Sequence, residues 1–332
     1  MRTIHDTLEP IEPSAARELF LKHKATDVGE NTVQSYAYRT DHFVRWCDEN
    51  DIDNMNDLSG RDLQEYRLWR QEEGDLKKIT LHQQMSTIRV FLKWCGSIEA
   101  VPADLYEKVM VPRVRPEQER NDETLEAEKA EAILDHLAKF HYASREHAVF
   151  MLLWETGIRI GAANALDISD VDVEEKQINL VHRPNQGTRL KNGRGGERPI
   201  AISTELAEML EDYIDYTRPE KTDEYDREPL LSTSQGRMAR ATMRRLIYRT
   251  TAPCFRGKPC PDCTEGSPGK CGESVKPHAI RRGSITHFLS QDVPVEIVGD
   301  RMNVSRDVLD KHYDKRSEEV KLEQRRGYLD NV

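Results

Sequence analysis

Three things are scarce in this 332-residue chain: long apolar runs, lysine, and positive charge in excess of negative. The longest uninterrupted apolar stretch, Ala148 to Trp154, falls far short of the roughly 20 residues that a membrane-spanning helix needs. No secretory signal opens the chain, so the expectation is a soluble, cytoplasmic protein with no membrane partner. Lysine and arginine total 49 against 59 aspartates and glutamates, a formal charge of −10. That balance argues, at first sight, against a partner held by bulk electrostatics. No paired-carboxylate cluster accompanies the motifs described below, which disfavours metal-dependent phosphodiester cleavage.

What is present is patterned. Residues 1–13 carry no periodic signal and read as a loose arm. From Ser14 to Val111 the spacing is helical throughout and predicts a bundle of four or five helices, with Asn31-Thr32, Ser59 and Thr80 as caps. Phe43 to Cys47 (Phe-Val-Arg-Trp-Cys) is echoed by Phe91 to Cys95 (Phe-Leu-Lys-Trp-Cys), which fits two helices with similar core contacts and two buried cysteines. Residues 112–122, with two prolines and alternating charge, read as a linker. Beyond it, helices are expected at 124–140, 144–155, 159–166, 203–217, 238–251, 277–291 and 305–313, with a tail helix at 317–328. Gln177–Val181 and Arg198–Ile202 have strand composition and are joined by a Gly- and Asn-rich stretch.

The chemistry lies in three separated motifs. Thr156-Gly157-Ile158-Arg159 comes first, His278-Ala279-Ile280-Arg281 follows far downstream, and Tyr313 stands about thirty residues later. Two arginines clamp the equatorial oxygens of a phosphate, a histidine moves a proton, and a phenol attacks phosphorus. Each string alone is ordinary. The ordered set points to phosphoryl transfer.

That set, in order and at these intervals, resembles the tyrosine recombinase (phage integrase) family over most of the chain. The resemblance implies a mainly α fold. Residues 14–111 would form a helical, SAM-like core-binding domain that grips DNA, and 123–332 a catalytic domain of helices with a small antiparallel sheet. It implies Arg159 and Arg281 on the scissile phosphate, His278 as base or proton carrier, and Tyr313 as nucleophile. A catalytic lysine belongs on a hairpin between the arginines; Lys191 is the only lysine of that region after Lys176. The partners implied are double-stranded DNA with specific recombination sites and a homotetramer on paired sites; catalysis would need neither ATP nor a metal cofactor. Two positions depart from the family: Ala162 replaces a frequent acid, and Val304 stands where a histidine or tryptophan is usual. Arg282 or His312 is the candidate to compensate. A type IB topoisomerase and a non-catalytic DNA-binding protein on a decayed recombinase scaffold are the rival readings.

The objection from charge weakens on inspection. Arg237 to Arg249 carries five arginines and no acid, and Arg237, Arg240 and Arg244 fall at i, i+3 and i+7, beside Arg245. On a helix they would face DNA together, or form an ordinary solvated face. Thirty-two of the 49 basic residues are arginine, and an acidic, lysine-poor surface resembles that of haloarchaeal proteins. In molar salt, bulk phosphate attraction is screened, and positioned arginines matter more.

Cys254, Cys260, Cys263 and Cys271 lie within eighteen residues rich in Gly and Pro. The spacing suits a structural zinc site in residues 254–271 that lack apolar content, with disulfides or free thiols as alternatives. Four thiolates leave no open position for catalysis.

Overall fold

A computed structural model describes residues 8–115, 123–260, 271–313, 316 and 318–329. The chain divides into two compact units, Met1–Asn121 and Asp122–Val332.

The first unit is built on four helices: α1 (Pro13–Asp27), α2 (Glu30–Glu49), α3 (Gly60–Gly74) and α4 (Lys78–Ser97). On α2, Phe43, Trp46 and Cys47 fall on one buried stripe, and on α4 so do Leu81, Met85, Ile88, Leu92 and Cys95. The sequence echo meets itself in this core: the Phe43 and Phe91 rings pack edge-on at 6.1 Å, and Phe20 joins Phe91 at 5.2 Å. Each such pair adds about 1 kcal/mol beyond its burial. Cys47 and Cys95 are both buried. Of the three expected caps, Ser59 forms, in a reciprocal capping box with Asp62. The other two do not. α2 starts one residue before Asn31 with Gly29 as its cap, and α4 starts at Lys78, which places Thr80 inside its first turn.

The second unit winds around α6 (Arg145–Thr156), after α5 (Ala127–Phe140). Every residue of the apolar run Ala148 to Trp154 except Met151 is buried, because α6 is the central helix of this unit. Ser144 caps its start by accepting from the His147 N–H, and Gly157 closes it in the left-handed region at φ 58°. A short α7 (Ile160–Ala165) leads to an antiparallel sheet of β1 (Val171–Asp172), β2 (Gln177–Leu180) and β3 (Arg198–Ala201), with Ile178 opposite Ile200. Then come α8 (Thr204–Asp212), a π turn at Tyr213–Thr217, the hairpin β4 (Ser232–Thr233) and β5 (Gly236–Arg237), and α9 (Arg240–Thr251).

The C-terminal part runs through α10 (Pro277–Ser290), α11 (Val295–Met302), α12 (Arg306–Val308), a π turn at Leu309–Tyr313 and α13 (Glu318–Leu329). A small separate core holds it together: Ile285, Leu289, Val298, Met302, Val304, Leu309 and Tyr313. Periodicity predicts no helix over 292–304, yet α11 forms there, with Pro294 at its N-cap and Val298 and Met302 buried.

The chain enters this unit already fastened to α10. Leu125 N–H donates to the Ala279 carbonyl at 3.1 Å, and the Glu123 carboxylate accepts from Lys276 N–H at 3.2 Å. Gly283 makes the approach possible, since a Cβ there would lie 2.0 Å from the Leu125 carbonyl oxygen. Among the described residues, no helix is long and apolar enough to cross a membrane.

Candidate active site

The two arginine motifs meet through a glycine. Gly157 turns the chain out of α6 so that Arg159 becomes the N-cap residue of α7, and the Gly157 carbonyl accepts from Arg281 Nη1. Arg281 Nη2 donates to the Met302 carbonyl at 2.7 Å. A side chain at 157 is doubly excluded, by its positive φ and by Met302 Sδ, which a Cβ would approach to 2.7 Å. Arg281 is thus pinned by two backbone oxygens and only 2% exposed, while its Nε has no partner.

His278 and Arg282 lie one turn apart on α10 and share the Tyr313 ring. The Tyr313 hydroxyl is 3.5 Å from His278 Nε2, a loose contact of the kind that tightens when a substrate arrives. Arg281 and Arg282 sit over the Tyr313 ring at 5.7 and 5.9 Å, and the Tyr313 carbonyl accepts from Thr286 on α10. Burial, then the charges of Arg282, Arg281, Arg159 and Lys191, push the His278 pKa down to about 4. At neutral pH the imidazole is therefore uncharged and free to accept a proton.

Arg198, which sequence reasoning missed, joins this group from β3. Its pKa is lowered to about 10 by burial and by the charges of Arg281, Arg159 and Arg301; Arg281 is lowered to about 10 by burial and by Arg159. Among the described residues, the buried Nε of Arg281 and the buried Nε and Nη1 of Arg282 find no hydrogen-bond partner. Among the described residues, none of Arg159, Arg198, Arg281 and Arg282 has a carboxylate within ion-pair reach. Packed cations without a counter-ion repel one another and leave donors unsatisfied, so the site is built around an anion that arrives from outside.

Lys191 projects from the loop between β2 and β3, exposed and close enough to act electrostatically on His278. Lys176 is occupied elsewhere, donating to Thr204 at 2.7 Å. Ala162 lies half-buried against the main core, and Val304 is buried in the small apolar core that contains Tyr313. Arg282, one of the two candidates to compensate for Val304, faces the tyrosine; the other, His312, has a side chain outside the described residues.

The arginine stripe needs correction at one position. Arg237 lies in β5, not on the helix, and its guanidinium is bound by Asp167, by Asp223 at 2.7 Å and by the carbonyls of Asn164 and Leu166. Arg183 and Arg227 complete this cage with Asp170. Arg240, Arg244 and Arg245 do lie on α9 and are exposed. Of the four clustered cysteines, Cys260 and Cys271 bring their sulfurs to 3.2 Å and Cys254 is exposed. Cys263 lies outside the described residues, among which no group of three or more ligands gathers as a metal site.

Comparison with known proteins matches residues 123–319 to the phage integrase family and residues 18–96 to the phage integrase N-terminal SAM-like domain. The chain belongs to the phage integrase family and is a tyrosine site-specific recombinase. It is 23% identical to the tyrosine recombinase XerC of Mycobacterium leprae over 232 residues, covering 67% of each chain. The XerC of Roseiflexus sp. is 27% identical over 60% of this chain and 61% of its own. In fold, it is similar to the Tn1549 transposon integrase in complex with circular intermediate DNA, with a TM-score of 0.66 and 15% identity over 94% of this chain and 99% of that one.

Proposed function

We propose that Tyr313 cuts DNA by attacking the scissile phosphorus, forming a 3′-phosphotyrosyl bond as the P–O5′ bond breaks. His278 takes the phenolic proton through Nε2. Arg159 and Arg281, with Arg198 and Arg282 alongside, neutralise charge developing on the non-bridging oxygens. Lys191 gives a proton to the departing 5′-oxygen, since an alkoxide is a poor leaving group. A 5′-hydroxyl from a second duplex then attacks the phosphotyrosyl phosphorus, and the strands are exchanged. The bond energy is retained throughout, so no nucleotide or catalytic metal is required.

The observation that carries this reading is the arginine cluster, without a carboxylate partner among the described residues, around a tyrosine 3.5 Å from a histidine whose pKa is lowered. Its partner is duplex DNA with specific sites, on which four protomers assemble; exposed Arg240, Arg244 and Arg245 lie on the phosphate backbone. We place it in the cytoplasm of a cell with high internal salt, on the strength of its acidic, arginine-weighted composition. Cys254, Cys260, Cys263 and Cys271 hold a structural zinc ion, a reading supported by the approach of Cys260 and Cys271; the purified chain should carry one zinc per protomer.

The decisive experiment is suicide-substrate trapping in high salt, on nicked duplexes carrying candidate sites. Wild type should give a covalent adduct and Tyr313→Phe none. A duplex that is bound by wild type at its verified site without adduct would leave a DNA-binding protein that no longer cuts.

A further inference from the structure

We propose that Asn303 is a positioning residue that latches the Lys191 loop over the leaving group. The proposal rests on the reading of Lys191 as the general acid.

The loop between β2 and β3 has four glycines, Gly187, Gly193, Gly195 and Gly196, and Lys191 stands exposed within it. Glycine-rich chain of this length carries a high entropic cost to hold in one place. A general acid, however, must wait within hydrogen-bond reach of the oxygen it serves. Something has to hold the loop.

The Leu190 N–H donates to His182 Nδ1 at 3.0 Å within the hairpin, and three consecutive residues at the end of α11 hold it from outside. The Arg301 carbonyl accepts from Arg198 Nε at 2.8 Å, which fixes the start of β3. Asn303 Oδ1 accepts from Asn192 Nδ2 at 3.1 Å, one residue after Lys191, and Asn303 Nδ2 donates to the Gly195 carbonyl at 3.2 Å. Between them, the Met302 carbonyl holds catalytic Arg281. Phosphate clamp and lysine loop therefore share one short support.

The backbone alone does not explain the residue. Asn303 has φ 50°, a left-handed conformation that glycine adopts more readily than asparagine. The side-chain amide is what glycine lacks, and here it bonds the loop with both its donor and its acceptor. Gly196 fits the same contact, since a Cβ there would stand 3.4 Å from Asn303 Nδ2.

This separates the latch from a merely structural role, because Asn303→Gly keeps the turn and removes the amide. The probe is a nicked duplex bearing the site that wild type selects by covalent capture from a randomised pool. One version carries the ordinary phosphodiester and the other a 5′-bridging phosphorothiolate at the cleaved bond. In the second, the P–S5′ bond breaks to a thiolate, which leaves without needing a proton. On the ordinary duplex, Asn303→Gly should form adduct about tenfold more slowly, the worth of one or two partly exposed hydrogen bonds. On the phosphorothiolate it should match wild type. Asn192→Ala should show the same split, and Lys191→Ala a larger one.

A defect in Asn303→Gly equal on both duplexes, or no defect on either, overturns the latch. If Lys191→Ala shows the split while Asn303→Gly does not, the latch alone fails. If Lys191→Ala shows none, the acid reading fails and the latch with it.

Discussion

Two groups of buried and half-buried arginines stand in the same unit, and they are wired in opposite ways. Arg183, Arg227 and Arg237 are matched by Asp167, Asp170 and Asp223 in a closed cage. Arg159 and Arg281 press on one another and, with Arg282, on His278; Arg198 is pressed by Arg281 and Arg159; and among the described residues no carboxylate pairs with any of them. The first group spends its charge inside the fold, joining β5 to the segment after α7. The second keeps its charge for a ligand. Arginine content by itself says nothing about function; the missing counter-ion does.

Breaking the cage should produce the largest effect. Arg237→Met leaves Asp167 and Asp223 short of a partner and should cost about 3–5 kcal/mol in urea unfolding. DNA affinity of the molecules still folded should not change, in contrast to the helix-face reading of this residue.

Acid should then separate the cage from the histidines. Burial would raise the Asp223 carboxyl, but hydrogen bonds from Arg237 and the backbone of Arg227 and Tyr225 outweigh it and hold the pKa at about 2. Its contribution is present above the ordinary carboxylate range and is lost only as pH falls through about 2. Burial lowers His147 to about 4 from an ordinary 6.5. The unfolded chain binds that proton first, so the contribution of His147 is complete above pH 6.5 and lost as pH falls towards 4. At most about 3 kcal/mol is involved. Urea midpoints should therefore fall between pH 6.5 and 4, and His147→Gln should flatten that slope.

Removing a member of the uncompensated group should do the reverse of breaking the cage. Arg282→Met deletes a buried charge that has no carboxylate partner among the described residues, so stability should hold or rise by about 1 kcal/mol. Adduct formation on the suicide duplex should slow by roughly 10- to 100-fold if Arg282 supplies the donor that Val304 lacks. The smallest effect belongs to the solvated arginines. Arg240→Gln or Arg244→Gln should leave the melting temperature alone and lower the slope of log K against log salt by about 1 each.

Much of the site was legible because its chemistry is carried by local strings. Thr156 to Arg159 and His278 to Arg281 each fit within one turn, and the hairpin around Lys191 announces itself by composition. What sequence could not give was set by partners far along the chain. Arg237 continues a helical spacing, yet Gly236 at φ 109° turns a hairpin there, and its acids lie at 167 and 223. Gly236 was the available warning. Arg198 belongs to no motif, Asn303 stands beside Val304 in a segment that departs from the family's pattern, and both matter through what they touch. The helix α11 was missed because eight residues between Pro294 and Asn303 give too few turns for periodicity to register, although Val298 and Met302 mark its buried face.

Residues 123–125 are the first described part of the chain after the linker, and they are stitched to the opening turns of α10, the helix that carries His278, Arg281 and Arg282. A pull on the chain from the N-terminal side of residue 123 would therefore reach the opening turns of α10 before the rest of the unit.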